Sequence, residues 1–386
     1  MWAVAVHIGA GRHAADAAST ALAEASMRDA LELAGCLLRD GASATVAATA
    51  AVRVLEDAAC TNAGSNGPCV NLTETGVIET DASIVDGHSG GIGCVGAVHG
   101  VRNPIELAAA LLRGADTSRD DGRTPPMVLV GAGAVEKARA LDVEFVDYAT
   151  TPIDATALRK HALMQSHSLD TVGAVVVDVH GHMAAAASSA GIALKAPGRV
   201  GPAGCPRMGC VAWNATQSPN GYAWAATGRG EEIMRTGLLQ QLEGRFRRKT
   251  ALDAATIDHN LTRAFNDAAA LNHDVGVEGG VLGLLRAPST SHGSSRKRRR
   301  EEASSSKSKV AARLPATHVV AAFTTPSMGL GVYCSDDSAP RAQIVRSMEK
   351  DVLVVHVLPC NEQDQAALAR RPTLQCVQST DMTKNS

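Results

Sequence analysis

The sequence has few aromatic residues and no long hydrophobic run. Aromatic residues make up 3% of the 386 residues although 45% are hydrophobic, so the core must consist of alanine, valine, leucine and glycine, packed closely. No apolar run of about 18 residues occurs, which excludes a membrane-spanning helix. The first apolar run, residues 2–8, has no basic segment before it and is interpreted as a strand and not as a signal peptide.

Paired cysteines and a strong net charge are also missing. The nine cysteines are an odd number and form no CxxC pair, which predicts reduced thiols in an intracellular protein and argues against a disulfide framework or a zinc site. The formal net charge of -2 argues against a general nucleic-acid-binding surface. Neither a membrane nor nucleic acid is therefore an expected partner.

A threonine stands at the start of an apolar, β-branched run. Thr171 follows Asp170 and precedes residues 172–177, which read as a buried strand. A turn and a second strand-like run, residues 183–189, complete a predicted hairpin. The polar residues 151–168 come before it and predict a loop accessible to cleavage. The sequence therefore predicts a central hairpin that begins at Thr171.

Cleavage of the Asp170–Thr171 bond would give Thr171 a free α-amine beside its hydroxyl. An α-amine titrates near pH ~8, so it can act as general base for that hydroxyl, directly or through a water. Threonine at the start of a strand is ordinary by itself. The hypothesis of a threonine nucleophile therefore depends on the rest of the chain.

The remaining chain alternates helices and hairpins and lacks strict βαβ units. Helices are predicted over residues 14–39, 43–57, from 103 onward, 134–140, 231–243 and 254–271. Strands are predicted over residues 2–8, 81–87, 92–98, 172–177, 183–189, 210–216, 222–227, 279–285, 317–324 and, as the last, 329–334, and residues 127–130 form a short apolar run without an assigned element. This order favours an α+β sandwich of antiparallel sheets covered by helices on both outer faces.

The second helix carries two more specific predictions. Ser43 is expected to be its N-cap, because a serine hydroxyl accepts from the first free backbone N–H groups. Val46, Ala50 and Val54 lie at helical spacing and are expected to form its apolar face.

A basic, serine-rich segment lies late in the chain. Residues 287–316 are predicted to be a disordered insertion, because a run of Ser, Lys and Arg cannot bury itself. Residues 296–300 are five consecutive cations, typical of a nuclear-import signal or a nucleic-acid patch. A solvated insertion without a partner is the alternative. The expected location is therefore the nucleus and the cytoplasm, with import left open.

Six short motifs connect these segments to a known family. In order, they are His7-Ile8-Gly9-Ala10-Gly11, Thr61-Asn62-Ala63-Gly64, Asp81-Ala82-Ser83-Ile84-Val85-Asp86-Gly87, Asp170-Thr171-Val172-Gly173-Ala174-Val175, Pro197-Gly198-Arg199-Val200-Gly201 and Thr227-Gly228-x-Gly230-Glu231. Together they resemble the plant-type asparaginase family of N-terminal nucleophile hydrolases. The resemblance extends to about residue 335 and implies an αββα sandwich.

The resemblance implies a role for each matching position. Thr171 would be the nucleophile, released by autocleavage after Asp170. The other implied roles are a supporting hydroxyl (Ser189), an oxyanion hole (Thr227 and Gly228), a carbonyl near the new amine (Gly9), a clamp for the substrate carboxylate (Arg199) and a further substrate-binding residue (Asn62).

The resemblance also implies the state of the mature protein. One sandwich would be cut into residues 1–170 and residues 171–386, and the two pieces would stay together and pair as a dimer of heterodimers. No metal or organic cofactor is expected, although an ion held by residues 62–71 is left open.

One position separates two branches of the family. In asparaginases and isoaspartyl peptidases, an aspartate three residues after the arginine binds the substrate ammonium, but here that position is Pro202. An internal peptide aspartate has no ammonium and could place its side-chain carboxylate on Arg199. The pattern therefore resembles taspases, threonine endopeptidases that cut protein substrates after aspartate, and the Asp170–Thr171 junction is such a site.

Two alternatives to the endopeptidase stay open. One is an asparaginase or isoaspartyl peptidase that acts on small β-aspartyl substrates. The other is a non-catalytic nuclear scaffold that works through its basic segment. Taspases carry a long basic segment before the nucleophile, whereas here the basic cluster, residues 296–300, lies late in the chain.

Overall fold

The computed structural model describes ten stretches of the chain, and every structural statement below concerns them. These are residues 1–65, 69–114, 124–146, 171–215, 220–248, 251–273, 276–288, 316–348, 352–360 and 377–378. The loop predicted before the nucleophile, Asp170 itself and the five cations at 296–300 lie outside the described residues. The predictions made for them therefore stay predictions.

The strands of the described residues form two sheets. Their bounds are β1 Ala3–Gly11, β2 Thr80–Asp86, β3 Ile92–Val98, β4 Val128–Val130, β5 Val172–Val177, β6 Met183–Ser189, β7 Cys210–Trp213, β8 Gly221–Gly228, β9 Gly279–Arg286, β10 Thr317–Phe323, β11 Ser327–Cys334, β12 Arg341–Arg346, β13 Val354–Pro359 and β14 Val377–Gln378. The eight-stranded sheet has the order β12-β11-β1-β5-β6-β2-β3-β4, and the six-stranded sheet has the order β14-β13-β10-β9-β8-β7. Among these pairings, only β3 with β4 is parallel.

Helices cover the outer face of each sheet. Their bounds are α1 Ala17–Arg39, α2 Ala44–Asp57, α3 Pro104–Gly114, α4 Gly131–Ala140, α5 Gly230–Thr236, α6 Leu238–Phe246 and α7 Ala254–Leu271. The first four pack on the eight-stranded sheet and the last three on the six-stranded sheet. A third apolar layer fills the space between the sheets. The predicted αββα sandwich is therefore confirmed.

The predicted hairpin lies at the centre of the larger sheet. Its strands β5 and β6 have the predicted bounds, and both are completely buried. Successive side chains of a strand point to opposite faces of the sheet. Helices cover one face and the second sheet covers the other, so both faces are apolar. Ala174 and Val176 face the helices, whereas Val175 and Val177 face the second sheet.

Two element predictions were wrong. The helix predicted over residues 231–243 is two helices, because Gly237 has a φ of 59° and ends α5 in the left-handed conformation. The strand at 329–334 is not the last, since β12, β13 and β14 follow it. Strand β12 was not predicted from the sequence, because it is an edge strand with exposed arginines at both ends and no apolar run.

The predicted cap of α2 is confirmed, but its predicted apolar face is only partly right, because Val54 packs against the core and Val46 does not. Ser43 accepts a hydrogen bond from the Val46 backbone N–H at 3.4 Å. The Val46 side chain is 47% exposed. The buried residues of this helix are Ala44, Ala47, Ala48, Ala51, Val52, Leu55 and Glu56. Small alanines let the helix lie close to β5 and β6, so four alanines and Val52 form the buried face and Val46 points away from it.

Three further observations bear on the sequence predictions. No disulfide joins the eight cysteines of the described residues to one another. No helix in that part of the chain is long and apolar enough to cross a membrane. At the boundaries of the basic segment, the Ala287 N–H donates to the Ala316 carbonyl at 2.9 Å, so the segment begins and ends beside the β9–β10 hairpin.

Glu56 generates a prediction about stability. Its carboxylate is buried, accepts from the Ile105 N–H at 3.1 Å, and has its pKa raised by burial from 4.5 to about 8. Between those values the folded chain keeps a proton that the unfolded chain releases, so stability falls as pH rises, by at most roughly 1.4 kcal/mol per pH unit. We expect Glu56→Gln to flatten the pH dependence of Tm between pH 5 and 8.

Glu32→Gln is the control, because Glu32 is exposed on α1, and it should keep the wild-type slope. An identical slope of Tm against pH in Glu56→Gln and wild type would contradict the raised pKa of Glu56.

Candidate active site

The register of four neighbouring strands places the predicted nucleophile in a row of polar and glycine residues. Ile8 of β1 faces Val172 of β5, and Val172 faces Ser188 of β6. One residue further along these strands, Gly9, Thr171 and Ser189 stand side by side. Ser189 also pairs with Asp81 of β2, which completes the row. Four residues that are distant in sequence therefore meet at one end of the sheet.

Strand alternation directs the Thr171 side chain into the space between the sheets. Val172 packs on the helices, so its neighbours in β5 face the opposite way. Gly173 confirms this direction, because a methyl group added there would lie 2.9 Å from the Ala225 Cβ of the second sheet. The Thr171 hydroxyl thus faces the end of β8.

Thr171 and Ser189 are in direct contact. The Thr171 hydroxyl donates to Ser189 Oγ at 3.1 Å, and the same oxygen accepts from the Gly191 N–H at 3.0 Å. Ser189 is buried, and Thr171 is half-buried. The structure therefore brings these two predicted residues together, while their catalytic roles stay predictions.

The end of β8 brings Thr227 and Gly228 to the same place. Thr227 is buried, and its Oγ1 accepts from the Ala10 N–H at 3.1 Å, next to Gly9. Gly228 has a φ of 131°, and a methyl group there would lie 2.3 Å from the Gly279 Cα. Only glycine fits that position.

Gly9 and His7 form the wall on the β1 side. Gly9 has a φ of 92° and lies where the register of β1 against β11 shifts. The Gly9 N–H donates to His7 Nδ1 at 3.4 Å. Burial lowers the His7 pKa to about 3, although the neighbouring Thr171 carbonyl opposes the shift. No role was predicted for this neutral ring, although its place in the first motif was a usable signal.

Arg199 is held by a carboxylate that the sequence analysis also left without a role. Its Nε and Nη2 both donate to Glu231 Oε1, at 2.9 and 2.7 Å. The Arg199 side chain is 15% exposed and the Glu231 side chain is 48% exposed. Glu231 could have been found through its fixed place in the last motif.

Three glycines surround the Arg199 guanidinium. A methyl group would lie 3.0 Å from Nη1 at Gly191, 3.1 Å from Nη1 at Gly201 and 2.9 Å from Nη2 at Gly230. Side chains at these positions would crowd the guanidinium. The glycines of the Gly198–Gly201 and Gly228–Gly230 motifs therefore leave room around the cation.

A buried pair of opposite charges lies behind Arg199. Asp81 accepts from the Ala97 and Gly201 N–H groups, both at 2.8 Å, and Lys195 donates to the Glu79 carbonyl at 2.7 Å. Burial raises the pKa of Asp81 and lowers the pKa of Lys195, and each charge partly offsets the shift of the other. These contacts fix the loop that carries Arg199.

Asn62 supports the turn between Ser189 and Arg199. Its side chain is buried, donates to the Gly191 carbonyl at 2.7 Å and accepts from the Asn71 N–H at 2.8 Å. Asn71 donates to the same Gly191 carbonyl, also at 2.7 Å. Both amides hold the backbone here, and the predicted contact of Asn62 with substrate stays a prediction.

The family suggested by the motifs is confirmed by comparison with known proteins. A family model described as Asparaginase matches residues 1–277 of the chain. The chain therefore belongs to the asparaginase family of N-terminal nucleophile hydrolases, whose members are amidases and peptidases.

Characterised relatives share about a third of the residues in the matched region. The isoaspartyl peptidase/L-asparaginase of Bos taurus is 35% identical over 211 residues, which cover 52% of this chain and 63% of the relative. The corresponding protein of Xenopus laevis is 33% identical over 240 residues, covering 60% and 72%. The plant-type L-asparaginase of Pyrobaculum calidifontis is 33% identical over 246 residues, covering 61% and 76%. The match thus spans less than two thirds of the bovine relative.

Gly228 generates a prediction about the site's backbone. We expect Gly228→Ala to destabilise the protein by at least about 2 kcal/mol, because it adds a collision with Gly279 and forces alanine into a left-handed conformation. The measurement is the Tm of the purified variant. Gly114→Ala is the control, since a methyl group there meets no atom within 4 Å. Equal Tm values for the two variants would contradict the packing argument.

Proposed function

We propose that this chain is a self-cleaving threonine hydrolase that hydrolyses the side-chain amide bond of L-asparagine and of β-aspartyl peptides. The observation that carries the proposal is the Thr171–Ser189 hydroxyl pair, 3.1 Å apart in the space between the sheets. The names of the three relatives support small β-aspartyl substrates.

The first step would be cleavage of the chain itself. The Thr171 hydroxyl attacks the Asp170 carbonyl carbon, and the acyl group moves from nitrogen to oxygen. Water then hydrolyses the resulting ester, which leaves a carboxylate on Asp170 and a free α-amine on Thr171. That amine titrates near pH ~8 and can accept the proton of the neighbouring hydroxyl.

The second step would be hydrolysis of a substrate. Thr171 Oγ1 attacks the side-chain amide carbonyl while the α-amine takes the hydroxyl proton. Thr227 and Gly228 are the proposed donors to the oxyanion, a contribution of roughly 3–4 kcal/mol per donor in other hydrolases. The amine then gives this proton to the leaving nitrogen. Water then attacks the acyl-enzyme and releases aspartate.

The sheet pairing supports continued association of the two pieces after cleavage. Strand β1 of the first piece lies between β5 and β11 of the second, and β2 pairs with β6. Separating the pieces would therefore break the centre of one sheet. Further pairing into a dimer of heterodimers is part of the proposal.

The second candidate function is cleavage of proteins after aspartate, and Pro202 favours it. A methyl group at Gly230 would lie 2.8 Å from Pro202 Cδ and 2.9 Å from Arg199 Nη2, so the proline ring lies beside the guanidinium. A proline ring cannot accept a substrate ammonium. An internal aspartate has no ammonium and needs no such acceptor, so it remains a candidate substrate.

Self-cleavage is the first part of the proposal to test. We expect purified wild-type protein to yield two fragments that sum to about the 39.8 kDa chain, one of them starting at Thr171. Intact mass and N-terminal sequencing provide the measurement. Thr171→Ala should stay whole because it lacks the attacking hydroxyl.

Thr317→Ala is the matched control, since Thr317 is a buried threonine at the other end of the second sheet, and it should cleave normally. If the wild type stays a single intact chain after long incubation, as Thr171→Ala does, then Thr171 is not the nucleophile of self-cleavage. That outcome would favour the non-catalytic scaffold.

The substrate class is the second part to test. We expect the cleaved protein to release ammonia from L-asparagine and to hydrolyse a β-aspartyl dipeptide, while a peptide with an internal aspartate stays intact. Ammonia release and mass spectrometry measure the two reactions. Cleavage of the internal peptide alone would reverse the order of the two candidates.

A further inference from the structure

A free amino acid brings two charges into the pocket. L-Asparagine carries an α-carboxylate, which a guanidinium can bind, and an α-ammonium, which needs an acceptor of opposite charge when it loses water. Pro202 cannot supply that acceptor. Three described carboxylates lie near Arg199, namely Glu79, Asp81 and Glu231.

Two of the three carboxylates are committed to the backbone. Asp81 is buried, and its two oxygens each accept a backbone N–H, from Ala97 and Gly201. Glu79 accepts the Gly198 N–H at 2.8 Å through Oε2. Both carboxylates therefore hold the backbone around Arg199, and an ammonium at Asp81 would have to replace one of these contacts.

Glu231 is different because its carboxylate is bound by the Arg199 side chain and does not hold the backbone of the Arg199 loop. Oε1 accepts both Nε and Nη2 of Arg199, whereas no other residue of the described part donates to Oε2; the carboxylate's one further contact is with its own backbone N–H. The side chain is 48% exposed, so a ligand can reach Oε2. Glu231 also follows Gly228 closely, in the first turn of α5.

Arg199 keeps a free donor in the complementary position. Its Nη1 makes no hydrogen bond within the described residues, and it lies near Gly191, the residue whose N–H donates to Ser189 Oγ. The pair therefore offers one free donor on the side of the nucleophile and one accessible acceptor. These two groups are complementary to the carboxylate and the ammonium of a free amino acid.

We propose that Glu231 Oε2 binds the α-ammonium of the substrate while Arg199 Nη1 binds its α-carboxylate. This inference rests on the proposed function, and it makes Glu231 the residue that selects free amino acids over internal peptides. An internal aspartate would leave Oε2 facing an uncharged amide. Pro202 then no longer excludes small substrates, because the acceptor comes from another element.

The test compares two ligands that differ only in the amine. L-Aspartate is the expected product, and succinate keeps both carboxylates but lacks the ammonium. We expect Glu231→Gln to weaken L-aspartate binding by about 10-fold or more, since a charge-assisted hydrogen bond is lost. Succinate binding should stay within about 3-fold of wild type, because the glutamine oxygen can still accept from Arg199. Isothermal titration of the cleaved protein measures both Kd values.

Two further variants control for charge and folding. Glu232→Gln makes the same change one residue along α5 and should leave both Kd values near wild type. Adding Pro202→Asp to Glu231→Gln should restore L-aspartate binding by returning an acid to the pocket. An equal loss for both ligands in Glu231→Gln would overturn the proposal, because Glu231 would then act only by orienting Arg199.

The inference and the proposed function fail in different ways. If the wild type hydrolyses L-asparagine but Glu231→Gln binds L-aspartate as tightly as wild type, the inference is wrong and the function stands. If the wild type neither hydrolyses L-asparagine nor binds L-aspartate, the proposed function is wrong and the inference falls with it.

Discussion

The backbone hydrogen bonds that β5 makes with β1 on one side and β6 on the other are the constraint on which the rest of the site depends. Antiparallel pairing fixes which residues stand opposite one another, and a slip of one residue would turn Thr171 away from the space between the sheets. The same pairing joins the segments before and after the proposed cut. One set of hydrogen bonds thus aligns the row that contains Gly9, Thr171 and Ser189, and it holds the two proposed pieces in one sheet.

Arg199 depends on a second constraint, which is electrostatic. Its loop is anchored by buried groups, since Asp81 accepts two backbone N–H groups and Lys195 donates to a carbonyl. Charges held in a buried, prearranged setting interact more strongly with a ligand than mobile charges in water do. Glycines around the guanidinium keep the space next to it open. The candidate site is therefore held in place by the fold itself, and the described part of the chain provides both a cation and an accessible carboxylate.

Prediction from the sequence succeeded where the local signal was strong. The hairpin of β5 and β6 and the helix α7 have the predicted bounds, because their apolar patterns and flanking turns are distinct. It failed where context outweighed pattern. Gly237 breaks a regular amphipathic pattern, β12 has no apolar run, and Val46 is exposed because alanines fit closer to the sheet. Among the site residues, Thr171, Ser189, Thr227 and Arg199 were found through motifs, whereas the contacts of His7 and Glu231 were not.

The sequence by itself determined the layers of the fold, the central hairpin, the threonine at its start and the family to which the chain belongs. These follow from residue types and spacings within short segments, so they can be read locally. Only the tertiary structure decided that the Thr227 hydroxyl accepts from the Ala10 N–H and that the Thr171 hydroxyl contacts Ser189. It also decided that Glu231 accepts two hydrogen bonds from the Arg199 guanidinium. Such contacts join residues on different strands and loops. They depend on sheet order, register and the packing of two sheets, which no short segment encodes.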